Sequence, residues 1–163
     1  MNTFTHIDEA NRPAMVNVGG KAMTHRTARA RAVVRLPEDV LRLLEGDEIR
    51  APKGPVMQTA SLAGIMAAKK TSELIPLCHP IGLDDCSVDI AVDENHRVVI
   101  DCRCEVRHKT GVEMEAMTGA TVAALTIYDM CKGLSRDIVI EGVRLLEKTG
   151  GKSGTFAAPE ESF

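Results

Sequence analysis

The sequence predicts an α+β domain in which one antiparallel β-sheet carries helices packed on one face. Four segments show the alternation of half-buried strands, and two Ala-rich segments show helical spacing. They follow one another as strand, helix, strand, strand, helix, strand, which is the order of the ferredoxin-like βαββαβ arrangement. With 44% apolar residues in 163, we expect residues 1–163 to form a single domain with flexible N-terminal and C-terminal segments.

The first half of the pattern begins with a strand predicted at residues 27–36, where small apolar side chains alternate with arginines. Pro37 then opens a short helix that we expect to end at Gly46, with acids in its first turn. A loop containing Lys53 follows. Residues 56–70, rich in Ala, Met and Leu, predict a longer helix that two later prolines prevent from continuing.

The second half begins with a hairpin, because residues 86–92 and 98–106 both alternate between apolar and polar side chains. Residues 113–132 contain no proline and predict a long helix that Gly133 ends. Residues 138–146 predict the last strand. The hairpin places five charged side chains on the face opposite its apolar residues, where we expect solvent or another subunit: Asp89, Asp101, Arg103, Glu105 and Arg107.

Composition and charge exclude several classes of function. The formal charge is −3 and only 2% of residues are aromatic, which argues against binding to nucleic acid. The N-terminus lacks an apolar run behind a basic stretch, and no run reaches about eighteen apolar residues, so we expect neither export nor a membrane span. Five cysteines without a C-x-x-C pair favour a reducing cytoplasm.

Two prolines bracket a Cys-His pair at residues 76–80. They fix the backbone around Leu77, Cys78 and His79, and a rigid loop of this kind suits a binding site. The alternative is that Cys78 is a small buried residue and His79 a hydrogen-bonded loop residue. We expect no metal site, since adjacent side chains rarely bind one ion without help and no H-x-x-x-H or C-x-x-C motif completes a zinc ligand set.

Each end of the long helix carries candidate functional groups. Glu113 and Glu115 lie near its start, where free backbone N–H groups can meet a polar ligand, or where both acids simply complement the helix dipole. Asp129 and Lys132 lie on one face near its end, where the alternative is an exposed ion pair. A partly buried lysine near other cations can lose its proton and act as a base, and we assign this role as a hypothesis to Lys132 and Lys53.

The length of this helix limits how these groups can cooperate. Glu115 and Asp129 are fourteen residues apart, a separation of about 20 Å along one continuous helix. One small pocket cannot easily hold both. If both act in one reaction, a two-fold partner must supply the far end, which predicts a site at a subunit interface.

Residues 149–154 contain Gly-Lys-Ser, the end of the P-loop signature. The full signature fails, because Leu146 stands where its first glycine is required. A glycine-rich segment can still bind an anion with help from nearby cations, for which we consider Lys21, Arg26, Lys148 and Lys152. The alternative is a flexible tail.

Several motifs, taken in order, resemble those of the cyclic pyranopterin monophosphate synthase (MoaC) family. They cover nearly the whole chain: Lys21, Thr24 and Arg26, Lys53-Gly54, AAK at residues 67–69, LIPLCHP at 74–80, KTGVEMEA at 109–116, AALTIYDMCK at 123–132 and GGKSG at 150–154. The sequence departs from the family pattern at residues 15–20.

The resemblance implies a ferredoxin-like, cytoplasmic lyase of molybdenum cofactor biosynthesis, without a cofactor. The substrate would be 3′,8-cyclo-7,8-dihydro-GTP, and the products cyclic pyranopterin monophosphate and pyrophosphate. It also implies a homohexamer, a trimer of dimers with active sites between subunits. By position, the resemblance implies catalytic roles for Lys53, Asp129 and Lys132, and contacts with the purine-derived ring for Leu77, Cys78, His79, Met114 and Glu115, with Glu113 adjoining.

A triphosphate needs cations around it, and we choose Lys21, Arg26 and Lys148 for that role. Two other interpretations stay open. The chain could be a non-catalytic module of the same fold that binds a purine nucleotide, since fold alone does not fix function. It could also be a structural oligomer in which the acids and lysines form only ion pairs.

Overall fold

The computed structural model describes residues 7, 8, 10 and 12–159, so the expected flexible terminal segments lie partly outside the described residues. The strands are β1 (Thr24–Arg35), β2 (Leu44–Glu45), β3 (Glu48–Ala51), β4 (Gly54–Pro55), β5 (Asp85–Val92), β6 (Arg97–His108), β7 (Val139–Thr149) and β8 (Phe156–Ala157). The helices are α1 (Glu38–Leu41), α2 (Val56–Ala68), α3 (Thr71–Leu74) and α4 (Glu113–Cys131). Among the described residues, none of the helices has the length and apolar character needed to cross a bilayer.

The main sheet has five strands in the order β5-β6-β1-β7-β8, and all its pairings are antiparallel. The four strands expected from the sequence correspond, in chain order, to β1, β5, β6 and β7. In the sheet they lie in the order second, third, first, fourth. The ferredoxin-like prediction is therefore confirmed. Strand β8 is an addition, formed where Lys148 pairs with Phe156.

Helices α2 and α4 pack together on one face of this sheet because small residues let them approach. A Cβ atom on Gly64 would lie 2.9 Å from the carbonyl oxygen of Gly119, and one on Gly119 would lie 2.5 Å from Cys102 Sγ. In β1, the alanines that face the helices are fully buried: Ala28, Ala30 and Ala32. This contact fixes the middle of α4 against the centre of the sheet.

The opposite face of the sheet is charged, as the hairpin pattern predicts. Arg31 donates two hydrogen bonds to Asp101, at 2.8 and 2.7 Å, and Arg29 Nε lies 3.2 Å from Glu147 Oε1. These cross-strand pairs place opposite charges beside each other on neighbouring strands.

The prediction for residues 37–55 is wrong in detail. The short helix ends at Leu41 rather than at Gly46, and a small three-stranded sheet, β2-β3-β4, replaces the expected loop. Gly46 has a φ of +63°, which suits the tight turn between β2 and β3. A second tight turn joins β3 to β4, and it presents Lys53 at the surface.

Glu48 connects this small sheet to α2. Pro55, at the N-cap of α2, provides no side-chain cap, and Glu48 supplies one instead by accepting hydrogen bonds from the backbone N–H groups of Met57 and Gln58, at 2.8 and 3.1 Å. Burial alone would raise the pKa of Glu48, but these hydrogen bonds and that from Ile49 outweigh it and hold the pKa below its ordinary value.

We predict that Glu48→Ala lowers the free energy of unfolding by about 1–2 kcal/mol, the usual cost of losing a helix cap. Since the folded state lowers the pKa of Glu48, its contribution is present above a pH of about 4.5 and is lost as the pH falls further. Urea unfolding at several pH values, at fixed protein concentration, measures both effects. The matched control is Glu45→Ala, which removes an exposed acid of β2. An equal loss in both variants would contradict the capping role.

Candidate functional site

The N-terminal end of α4 borders a cavity of about 350 Å³. The five residues expected to contact a purine-derived ring and the adjoining Glu113 all line it: Leu77, Cys78, His79, Met114, Glu115 and Glu113. Residues from two distant chain segments therefore meet in one place, as the family resemblance implies. Ile75 and Ile81 extend its apolar wall, and Thr110 and Gly111 form the edge before the helix.

The loop between α3 and β5 carries the Cys-His pair into this cavity. Cys78 N donates to Ile75 O at 3.1 Å, which closes a turn that contains Pro76. His79 Nε2 lies 2.8 Å from the carbonyl oxygen of Val16. A carbonyl only accepts, so Nε2 carries the hydrogen, and in this tautomer the other ring nitrogen, Nδ1, is an acceptor.

Glu115 is the buried acid of the cavity, with a relative exposure of 3%. Burial raises its pKa to about 7, and the nearby charge of Glu113 adds to the effect, while a hydrogen bond from its own backbone N–H opposes it. A role in complementing the helix dipole does not account for the raised pKa of Glu115, which has burial as its main cause. A carboxyl with this pKa can give up or take a proton near neutral pH.

Cys78 behaves differently from a reactive cysteine. Burial raises the pKa of its thiol, and the charge of Glu115 raises it further. The side chain is thus a neutral thiol at neutral pH, which fits a wall residue or weak hydrogen-bond donor rather than a nucleophile.

A basic surface adjoins the cavity. His79, Thr110 and Glu113 line both the cavity and a neighbouring groove of about 540 Å³, which also contains Lys21 and Lys148. Lys148 Nζ lies 2.9 Å from Glu113 Oε1 and donates to Ser153 Oγ at 3.0 Å. The residues that line the cavity and these two lysines therefore form one continuous surface.

Lys21 also lines a second cavity, of about 490 Å³, together with Arg26 and the glycine-rich segment. Arg26 Nη2 donates to Lys109 O at 3.1 Å, whereas the buried Arg26 Nε and Thr24 Oγ1 have no hydrogen-bond partner among the described residues. This second cavity thus has cations on two sides and polar donors in its wall. Its composition makes it a candidate site for an anion.

The glycine-rich segment is part of this cavity rather than a loose tail. Gly150 and Gly151 have φ values of +87° and +77°, which L side chains rarely adopt. A Cβ atom on Gly150 would overlap the carbonyl oxygen of His25, and one on Gly151 would overlap the Arg26 guanidinium. Glycine is therefore required for the chain to approach β1 this closely.

The C-terminal end of α4 carries a separate cluster of charges. Asp129 Oδ2 lies 2.7 Å from Lys53 Nζ, and Asp129 Oδ1 lies 2.7 Å from Lys132 Nζ. Hydrogen bonds from Lys132 and Lys53 lower the pKa of Asp129 to about 2. The three groups line a shallow cavity of about 270 Å³ with apolar walls that include Met130 and Leu134.

The hypothesis that Lys132 has a lowered pKa is wrong for this subunit. Its side chain is 55% exposed, and the hydrogen bond and charge of Asp129 raise its pKa above the ordinary value. Lys53 is equally exposed, at 57%. Lys132 is not desolvated, which was the condition for a lowered pKa, so it stays a cation held by the Asp129 carboxylate.

The structure does not bring the two clusters together within one subunit. Helix α4 is continuous from Glu113 to Cys131, so its two ends stay about 20 Å apart between Glu115 and Asp129. The nine residues expected to bind substrate surround one end, and the three expected to be catalytic surround the other.

Sequence reasoning missed some lining residues. Thr110 and Gly111 immediately precede the predicted helix, and their place at its N-terminal end was a usable signal. Ile75 and Ile81 flank the proline-bracketed pair in the same way. No feature of the sequence indicated a role for the Val16 carbonyl, because only the folded chain brings residue 16 to His79.

Comparisons with known proteins agree on one family. Residues 15–151 match the MoaC family. Over 157 residues, the chain is 51% identical to a cyclic pyranopterin monophosphate synthase of Xanthomonas oryzae pv. oryzae, covering 95% of this chain and 94% of that protein. Over 160 residues, it is 46% identical to a molybdenum cofactor biosynthesis bifunctional protein of Synechocystis sp.. The match covers 96% of this chain but only 46% of that longer protein.

We predict that Glu115 makes stability depend on pH. Its pKa is higher in the folded state, so its favourable contribution is complete below a pH of about 4.5 and is lost as the pH rises through about 7. Glu115→Gln removes this titration, so its free energy of unfolding should rise relative to the native chain by about 2–3 kcal/mol across that window.

Urea unfolding from pH 4 to pH 9 measures the difference, and Glu94→Gln, which changes an exposed acid of the hairpin turn, is the control. Parallel stability curves for the native chain and Glu115→Gln would contradict the assignment of a raised pKa.

Proposed function

Because the chain belongs to the MoaC family, we propose that it acts as a lyase of molybdenum cofactor biosynthesis. The reaction is the conversion of 3′,8-cyclo-7,8-dihydro-GTP into cyclic pyranopterin monophosphate and pyrophosphate. The observation that carries the proposal is the continuous surface that joins a ring-sized cavity containing Glu115 to the basic groove of Lys21 and Lys148. A nucleoside triphosphate has these two parts, a polar ring and a polyanion.

The ring of the substrate occupies the cavity at the start of α4. Leu77 and Met114 provide apolar walls, and Nδ1 of His79 accepts a hydrogen bond from a ring N–H. Glu115 exchanges a proton with the ring, since a carboxyl with a pKa of about 7 suits this at neutral pH. Cys78, a neutral thiol, and Glu113, which holds Lys148, complete the wall.

The triphosphate lies along the basic groove and the adjoining cavity. Lys21, Arg26 and Lys148 supply three positive charges there. Formation of a cyclic phosphate requires a sugar oxygen to attack the first phosphorus while pyrophosphate departs. Cations held beside the departing oxygens stabilise the charge that develops on them.

Lys53, Asp129 and Lys132 supply the remaining proton transfers. Ring opening, ring closure and cyclic phosphate formation each move protons, and positioned acids and bases accelerate such steps. Asp129 stays ionised because its pKa is about 2, and it holds both ammonium groups in place. The lysines therefore begin as proton donors. The rearrangement needs no redox cofactor.

These three residues reach the ring only from a neighbouring subunit. A two-fold axis that places the C-terminal end of one α4 beside the N-terminal end of another gives two equivalent composite sites per dimer. We propose a homohexamer built from three such dimers. We place it in the cytoplasm, because all five cysteines are free thiols, as expected in a reducing compartment.

The first test measures turnover. We expect Lys53→Ala and Lys132→Ala to reduce pyrophosphate release and pterin formation at least a hundredfold, the usual effect of losing a general acid or base. Lys70→Ala is the matched control, since Lys70 is an exposed lysine at the end of α2, away from both clusters. Substrate binding without turnover by the native chain would favour the non-catalytic nucleotide-binding module instead.

The second test concerns the shared site. We predict that Glu115→Ala and Lys132→Ala are each inactive, and that a 1:1 mixture, refolded together, regains about a quarter of native turnover. Half of the random dimers are mixed, and each mixed dimer has one intact site of two. Continued inactivity, with subunit exchange verified by native mass spectrometry, would contradict a site built from two subunits.

A further inference from the structure

Three cysteines lie together between the sheet and the helices, far from both charge clusters. Cys86 is on β5 and faces Cys104 directly across the ladder with β6. Cys102 lies two residues before Cys104 and so points to the same face of the sheet. This face is the one that packs against α4, because Cys102 Sγ contacts Gly119.

The three sulfur atoms form a compact triangle. All lie within 4.8 Å of one another, and Cys104 Sγ is 3.7 Å from Cys86 Sγ. A small cation with metal–sulfur bonds of about 2.3 Å, at the centre of a three-thiolate triangle, requires sulfur atoms about 4 Å apart. The observed spacing meets this requirement without a change in strand register.

From this geometry we propose that Cys86, Cys102 and Cys104 form a binding site for one Cu(I) ion. Sulfur-only ligand sets favour soft cations, and Cu(I) is the soft ion that thiolates select. The group contains no His, Asp or Glu ligand. Structural zinc sites need four protein ligands as a rule, so a three-sulfur set without a fourth donor fits Zn(II) less well.

The surroundings allow the ion to enter and then hold it. Cys102 and Cys104 are fully buried, whereas Cys86, on the edge strand β5, is half-buried. Entry is therefore from the Cys86 side. Lys69, at the end of α2, contributes positive charge near Cys86, which offsets part of the negative charge of the thiolates.

The proposed site is independent of the reaction. None of its three residues lines the cavities at either end of α4. Because it joins β5 to β6 beneath the middle of α4, a bound ion stabilises the folded chain in proportion to the ion's affinity and concentration.

The test is an anaerobic titration of the reduced, full-length protein with Cu(I), in competition with a chromophoric Cu(I) chelator. We expect one Cu(I) per chain, an ultraviolet thiolate-to-copper band, and X-ray absorption that shows sulfur ligands only. Cys86→Ala and Cys104→Ala should each weaken binding at least tenfold. Cys131→Ala is the matched control, because it removes a buried thiol outside the cluster, and it should bind Cu(I) like the native chain.

Circular dichroism checks that each variant keeps its fold. If Cys104→Ala does not fold, Cys86→Ala alone tests the site. Failure of the native chain to bind Cu(I) with all five thiols reduced would overturn the proposal. So would equal affinity in the native chain and Cys86→Ala, or displacement of Cu(I) by an equimolar amount of Zn(II).

Discussion

The architecture depends on one packing constraint, the contact of α4 with the centre of the sheet. Gly119 lies against Cys102 and Gly64 at mid-helix, and no larger residue fits there. The helix runs without interruption from Glu113 to Cys131. Its two polar ends cannot approach each other in one subunit, and this requires the proposed reaction to use two subunits.

The acidic groups at the two ends of α4 have pKa values shifted in opposite directions. At the N-terminal end, burial raises the pKa of Glu115 to about 7, which makes it a carboxyl that changes its protonation near neutral pH. At the C-terminal end, two exposed lysines lower the pKa of Asp129 to about 2. Under the proposal, a carboxyl that can exchange a proton near neutral pH lies beside the cavity for the ring, and the ion triad is the group that a partner subunit supplies. Desolvation at an interface would strengthen the interactions within that triad.

The sequence predicted those elements in which the alternation or helical spacing of apolar residues continues over many residues. The alternation in β1 and the uninterrupted run of α4 are properties of neighbouring residues, so both were predicted. The small three-stranded sheet β2-β3-β4 was not predicted, because strands of two to four residues contain too few alternations to detect. The LIPLCHP loop and the start of α4 pointed to one cavity, yet the burial of Glu115 and the exposure of Lys132 depend on long-range packing, and the sequence could not reveal either.

The shared active site is the central claim, and a crystal structure of Lys132→Ala with bound 3′,8-cyclo-7,8-dihydro-GTP tests it most directly. The account predicts the ring between His79 and Glu115 of one subunit, with the partner subunit's Asp129 and Lys53 in contact with the same substrate molecule. A substrate molecule that contacts residues of one subunit only, with every Asp129 about 20 Å away, would contradict it.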